Sequence, residues 1–92
     1  MILDLQDRIR TVDALLGAIG ANLEARRRHA DSYEQERELF EMSEHRADLH
    51  GRLLKLSEGL KRIAQNGERD ALDSWERQLR RIEFFADQLQ QG

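Results

Sequence analysis

The 92 residues contain no cysteine and no proline. Without cysteine there is no disulfide framework, no thiolate nucleophile and no zinc-finger spacing. Without proline, nothing in the chain forbids long uninterrupted helices. Aromatic residues are scarce, with one Trp, one Tyr and three Phe, which disfavours a sheet-based core. Long apolar runs are missing too. No window approaches the ~18 consecutive apolar residues of a membrane span, and no membrane association is expected. Asp4 and Asp7 stand where a secretory leader would carry a basic start. A cytoplasmic chain is the expectation.

Charge is what the sequence has in abundance. Asp, Glu, Lys and Arg make up 36% of it, and Lys+Arg 15 against Asp+Glu 18 leaves a net charge of −3. A molecule with that balance does not attract polyanions as a whole. Arginine outnumbers lysine 13 to 2, a bias that suggests a GC-rich bacterial or phage genome. Ninety-two residues make one domain, 1–92, and a chain this short has a core that is thin or shared with a partner.

Apolar positions recur at the period of a helix seam. Ile2, Leu5, Ile9, Val12, Leu16, Ile19 and Leu23 are spaced alternately by three and four residues, which keeps one narrow stripe facing a neighbouring helix. A second series runs Leu39, Met42, Arg46, Leu49, Leu53, Leu56, Leu60, Ile63, with one polar member. A third runs Leu72, Trp75, Leu79, Ile82, Ala86, Leu89. The fold class is therefore all-α: a three-helix antiparallel bundle or coiled-coil helical hairpin, expected to be oligomeric. A stripe of two positions in seven is narrower than the face a globular helix usually buries, and this points to partners.

Whether the first two series belong to one helix is decided by register. Continuing the first stripe predicts positions 26, 30, 33, 37 and 40, whereas the second, extended backwards, falls on 32, 35, 39 and 42. A coiled coil absorbs insertions of three or four residues more readily than an offset of two, so a break is expected. Asp31 and Ser32 are both candidate N-caps, with Glu34 and Gln35 three positions on. Arg26, Arg27, Arg28 and His29 suit the negative end of one helix, and Glu34, Glu36 and Glu38 the positive end of the next. Asn66-Gly67 supplies a left-handed C-cap after Ile63. Helices are expected over about 2–29, 32–65 and 68–90.

Several residues invite a chemical reading. Arg26-Arg27-Arg28 could contact phosphates, but the first segment carries five basic and four acidic residues, and Tyr33 is the nearest aromatic that could stack on a base. Nucleic acid is not the expected partner. Glu41, His45 and Asp48 share a helical face with metal-ligand spacing, yet provide only one nitrogen donor; no metal and no cofactor is expected. His50 is followed by a lysine five positions later, at Lys55, not the three of a phosphotransfer histidine.

The run Ile9, Val12-Asp13, Leu15-Leu16 resembles that of the small all-helical chorismate mutases, over about fifteen residues. That resemblance implies a helical enzyme with two catalytic arginines on the first helix. In this sequence those positions are Gln6 and Leu23, so the anion-binding charge is missing. No catalytic residue is assigned, and the chain is read as a non-enzyme. Gly17, Gly20 and Ala21 suggest close backbone approach by another helix or some local flexibility. Arg46 suggests a register-setting polar insertion.

The functional expectation is a protein-protein interaction module: a helical adaptor, assembly subunit or small chaperone that binds a protein partner or itself. In general shape it resembles the helical-hairpin co-chaperones of bacterial secretion systems. The expected contact residues are Trp75, Leu79, Ile82, Phe84 and Phe85, with Leu53, Leu56 and Leu60. Phe84 and Phe85 point about 100° apart on a helix, so both cannot centre on one stripe, and one is expected to meet another chain. Leu3, Leu15, Leu54 and Phe84 lie off or beside the stripes; Leu3 and Leu15 are expected to widen the core. The alternatives are a phage- or plasmid-type inhibitor that occupies another protein's surface, a nucleic-acid-associated protein using Arg26–Arg28, and a degenerate chorismate-mutase-like enzyme.

Overall fold

The structure, a computed structural model, describes residues 2–67 and 69–91. It consists of α1 (Ile2–Arg28), α2 (Tyr33–Asn66) and α3 (Asp70–Gln91), with no strand among the described residues. Helix α2 is the longest of the three. At the helical rise it spans about 51 Å, which accounts for the long axis of the 52 × 18 × 17 Å bundle. Helix α2 runs antiparallel to both neighbours. Asp13 meets His50 and Gly20 meets Arg46 between α1 and α2, while Trp75 meets Leu56 and Phe85 meets His45 between α2 and α3. Helices α1 and α3 therefore run parallel.

Chain chemistry makes the two turns in different ways. At the first, α1 has no glycine to end on, so its last turn tightens. The His29 N–H donates to the Arg26 carbonyl at 3.1 Å, and the Ala30 N–H to the Arg27 carbonyl at 3.3 Å. Ser32 then caps α2 with extended backbone, as serine commonly does. Its Oγ accepts from the Gln35 N–H at 3.2 Å. Asp31, the other candidate cap, is used differently: its backbone N–H donates to Gln35 Oε1 at 3.0 Å. The break expected from the register offset is present. At the second turn Gly67 adopts φ 67°, ψ 25°, the left-handed conformation of a helix C-cap. Its N–H donates to the Ile63 carbonyl at 2.9 Å. Glu68, expected to open the third helix, lies outside the described residues, and α3 begins at Asp70.

The three stripes close on one another. Leu5, Val12, Leu16, Ile19 and Leu23 of α1 meet Leu39, Leu49, Leu53, Leu56, Leu60 and Ile63 of α2 and Trp75, Leu79, Ile82 and Ala86 of α3 in one cluster. Ile9, Met42, Leu72 and Leu89 complete the seams from partly buried positions. Among the described residues no polar or charged side chain is counted in the buried core. Trp75 keeps its polar edge satisfied, as a buried indole must, by donating Nε1–H to the Leu56 carbonyl at 2.6 Å. Its ring also lies against Gly59, where an added Cβ would stand 3.7 Å from Cδ1 and Nε1.

Two expectations are corrected by the structure. Leu15 packs against the core, but Leu3 is 75% exposed. It lies one position past the α1 stripe, near the end of the bundle, where there is little structure to cover it. The close approach expected at the α1 glycines occurs only at Gly20, and a side chain makes it: Arg46 lies so near that a Cβ there would stand 3.0 Å from its Nε. Gly17 faces open space.

These differences give the glycines separable effects. Gly17→Ala is expected to raise stability by about 0.5–1 kcal/mol through helix propensity and lost chain entropy. Gly20→Ala is expected to gain less, because Arg46 must shift. Gly67→Ala is expected to cost about 1 kcal/mol, since φ is positive there. Urea unfolding midpoints of the three variants should rank in that order.

Candidate protein-docking surface

Six of the eight residues expected to meet a partner are consumed within the chain. Leu53, Leu56 and Leu60 of α2 and Trp75, Leu79 and Ile82 of α3 are all buried in the shared core. A partner could reach them only by opening the bundle. The reason is topological: the α2 and α3 stripes face each other across the Gly67 turn, so each is the other's partner.

Phe84 and Phe85 remain at the surface, 58% and 36% exposed. Both follow the buried Ile82, and the step of about 100° per residue carries Phe85 toward α2 and Phe84 toward the outside. Edge-to-face packing is a favoured arrangement of aromatic rings. The Phe84 and Phe85 rings meet in this way at 5.5 Å. Phe85 in turn stands edge-to-face with His45 of α2 at 5.9 Å. The three rings form one aromatic strip from the α2/α3 boundary onto the outer face of α3. Phe85 is anchored by its half-buried position, which leaves Phe84 as the projecting group.

Charge surrounds Phe84 asymmetrically. Arg77, Arg80 and Arg81 lie seven, four and three residues before it, on the same helical face and exposed. Arg80 also pairs with Glu76 at 3.3 Å. Gln88 and Gln91 follow on the same side, and Asp87 stands three residues on. The spacing of these arginines around Phe84 was readable in the sequence as i−7, i−4 and i−3. The more conspicuous Arg26–Arg28 triplet masks it. His45 could not have been found in this way, because the fold alone brings it to Phe85.

The flank of α3 that carries Glu76 and Glu83 is committed to α1. Arg8 of α1 grips Glu83 with two nitrogens, Nε to Oε2 at 3.2 Å and Nη2 to Oε1, and reaches Glu76 at 3.3 Å through Nη1. The Glu83 hydrogen bond raises the Arg8 pKa further, so the guanidinium stays charged throughout the physiological range. This clasp closes the one flank of the core on which α1 and α3 touch directly.

The remaining sequence candidates fall in places that explain them structurally. Arg26 shares a groove with Glu38, Gln35 and His29, because the acidic start of α2 folds back beside the basic end of α1. Glu41 pairs with Arg37 at 3.5 Å and Asp48 with Arg52 at 3.1 Å, both along α2. Among the described residues no three His, Asp or Glu side chains converge as metal ligands would. Of the two positions where the chorismate mutase resemblance places arginines, Gln6 is exposed and Leu23 is buried in the core.

Arg46 is the polar member of the α2 seam. Its Nη1 reaches the Leu16 carbonyl at 3.5 Å, and its buried Nε has no partner. The first of these contacts is at the limit of a hydrogen bond. Removing the Nε–H from water without a replacement costs free energy, and Gly20 is small enough to admit the side chain.

Comparison with known proteins returns no matching family model, no matching curated protein and no matching solved structure. Among the described residues no helix is long and apolar enough to cross a membrane.

The Arg46 geometry carries an expected outcome. Arg46→Met removes an ill-satisfied polar group and keeps the volume, so stability should rise by about 1 kcal/mol, read as a higher urea midpoint with an unchanged m-value. A fall would mean that the Leu16 contact outweighs the desolvation.

Proposed function

We propose that the chain is a non-enzymatic protein-interaction module, an adaptor, assembly subunit or small chaperone, that docks an acidic amphipathic helix of a partner protein on the face of α2 and α3 that bears Phe84. The observation that supports this most is the projecting Phe84 ring, edge-to-face with Phe85, which in turn meets His45 edge-to-face, and bordered by three arginines. A phenylalanine side chain contributes about 1.5–3 kcal/mol when fully buried. More than half of that gain is still available at Phe84. Aromatic groups flanked by arginine are also the residue types that most often dominate binding energy at protein interfaces.

The arginines specify the partner's chemistry. They favour a helix with acidic residues beside its apolar stripe, and they steer its approach. Phe85 and His45 provide a floor on which a second apolar side chain can lie. The other docking edge is the exposed end of α3, where Gln88 and Gln91 offer amide groups without charge. Phosphate binding by the same arginines is the competing reading. The single projecting ring favours a protein partner.

The test begins with a partner captured from the native host, identified and purified, and then titrated directly. Phe84→Ser is expected to weaken that affinity about tenfold or more. Far-UV circular dichroism should be unchanged, because the ring lies outside the core. Arg81→Glu should slow association and reduce its salt dependence. Unchanged affinity with Phe84→Ser would remove this face from the site. Tight, steeply salt-dependent binding of nucleic acid, abolished by Arg26→Glu, Arg27→Glu and Arg28→Glu together, would replace the reading altogether.

A further inference from the structure

Helix α2 carries a second apolar line that neither neighbour covers. Tyr33, Phe40, Ala47 and Leu54 recur every seven residues, and all four are exposed, with Tyr33 at 77%, Phe40 at 52% and Leu54 at 54%. The line stands about 130° around the helix from the middle of the buried stripe. It is on the α1 side of the outer surface, away from the Phe84 face. Gly51 lies beside its centre, with nothing within 4 Å of where a Cβ would be.

The charges that border this line say what covers it. Glu34, Glu41, Asp48, Lys55 and Arg62 form a parallel column with the same seven-residue repeat, all exposed. The column is acidic in its first half and basic in its second. A second copy of α2 laid antiparallel about a two-fold axis near Ala47 places Glu34 opposite Arg62 and Glu41 opposite Lys55, on both sides of the axis. The same register brings Phe40 within about 3 Å of level with Leu54 of the other copy along the helix axis, and Ala47 equally near its own equivalent, where small residues let two backbones approach. Only Asp48 meets its own equivalent, and it is already paired with Arg52 at 3.1 Å. A two-fold contact must be self-complementary, and the charge column is so in the antiparallel orientation.

We infer that the chain forms an antiparallel homodimer through the Tyr33/Phe40/Ala47/Leu54 face of α2. This surface is distinct from the Phe84 face, so either can fail while the other stands.

Sedimentation equilibrium across concentration reads the association directly. The wild-type chain should reach twice its 10.8 kDa mass by high micromolar concentration. Phe40→Asp with Leu54→Asp should leave a monomer of unchanged helicity, whereas Phe84→Ser should still dimerise. Lys55→Glu with Arg62→Glu should weaken self-association about tenfold, the sum of several surface charge contacts. Mixing that variant with Glu34→Lys, Glu41→Lys copies should restore a dimer. Because the chain has no cysteine, Ala47→Cys should oxidise rapidly to a disulfide-linked dimer, and Ser74→Cys on α3 should not. A wild-type chain that stays monomeric at high micromolar concentration would overturn the proposal. So would a dimer indifferent to Phe40→Asp and Leu54→Asp, or one that crosslinks at position 74 in preference to 47.

Discussion

Each helix is held by an apolar stripe about two residues wide in every seven, and the structure depends on three such stripes closing around one axis. A stripe that narrow covers itself against a single neighbour only when the two helices supercoil as a coiled coil. Three helices arranged about a common line need no more, because each faces the axis and the flanking positions only have to seal the gaps. Arg8 seals one gap by clasping Glu83 and Glu76, and His50 and Asp13 approach to 3.3 Å across another. The narrow stripe, read alone as a sign of a missing partner, is therefore satisfied inside the chain.

This closure fixes the role of α2. It is the longest element, and it offers its stripe to α1 on one side and α3 on the other, so its free surface is the arc opposite the core. Both connections must then reverse the chain within a few residues. The first does so without glycine, by a tightened final turn and a serine cap, and the reversal brings Arg26 beside Glu38. Electrostatics that favour the two helix ends separately also favour their adjacency. Among the described residues, only Arg26 of the triple arginine shares a groove with an acid of α2, Glu38.

Much of the architecture was legible because it is written in periodicity. The seams of all three helices, the offset that demands a break near Asp31 and the Asn66-Gly67 stop are local patterns, and each corresponds to a physical feature of the fold. The surface was less legible, for a geometric reason. Periodicity says which residues are inward; it does not say which outward residues remain uncovered once neighbours arrive. Leu3 and Leu15 look alike in sequence, each beside a seam residue, yet Leu15 has α3 alongside and Leu3 sits at an open end. Trp75, Leu79 and Ile82 have the composition of binding residues, and in the bundle they are buried in the core shared with α2. His45 joins Phe85 only through the antiparallel crossing of two helices.

Arg46 shows what the narrow core costs and what it secures. A leucine at that position would continue the seam, and the neighbouring stripe would accept it. The guanidinium instead lies over Gly20 with its Nε unpartnered. The contact has one property that a leucine lacks: it matches a single long side chain to a single gap in α1. Sliding α1 along α2 by one heptad would present residue 13 or 27 in place of residue 20. Those are Asp13, whose carboxylate would pair with the guanidinium, and Arg27, whose like charge would oppose it. In a bundle whose three stripes repeat with the same period, leucine layers alone would tolerate such slips. One poorly solvated arginine opposite one glycine disfavours the slip that would bring Arg27 to it, at a local loss of stability.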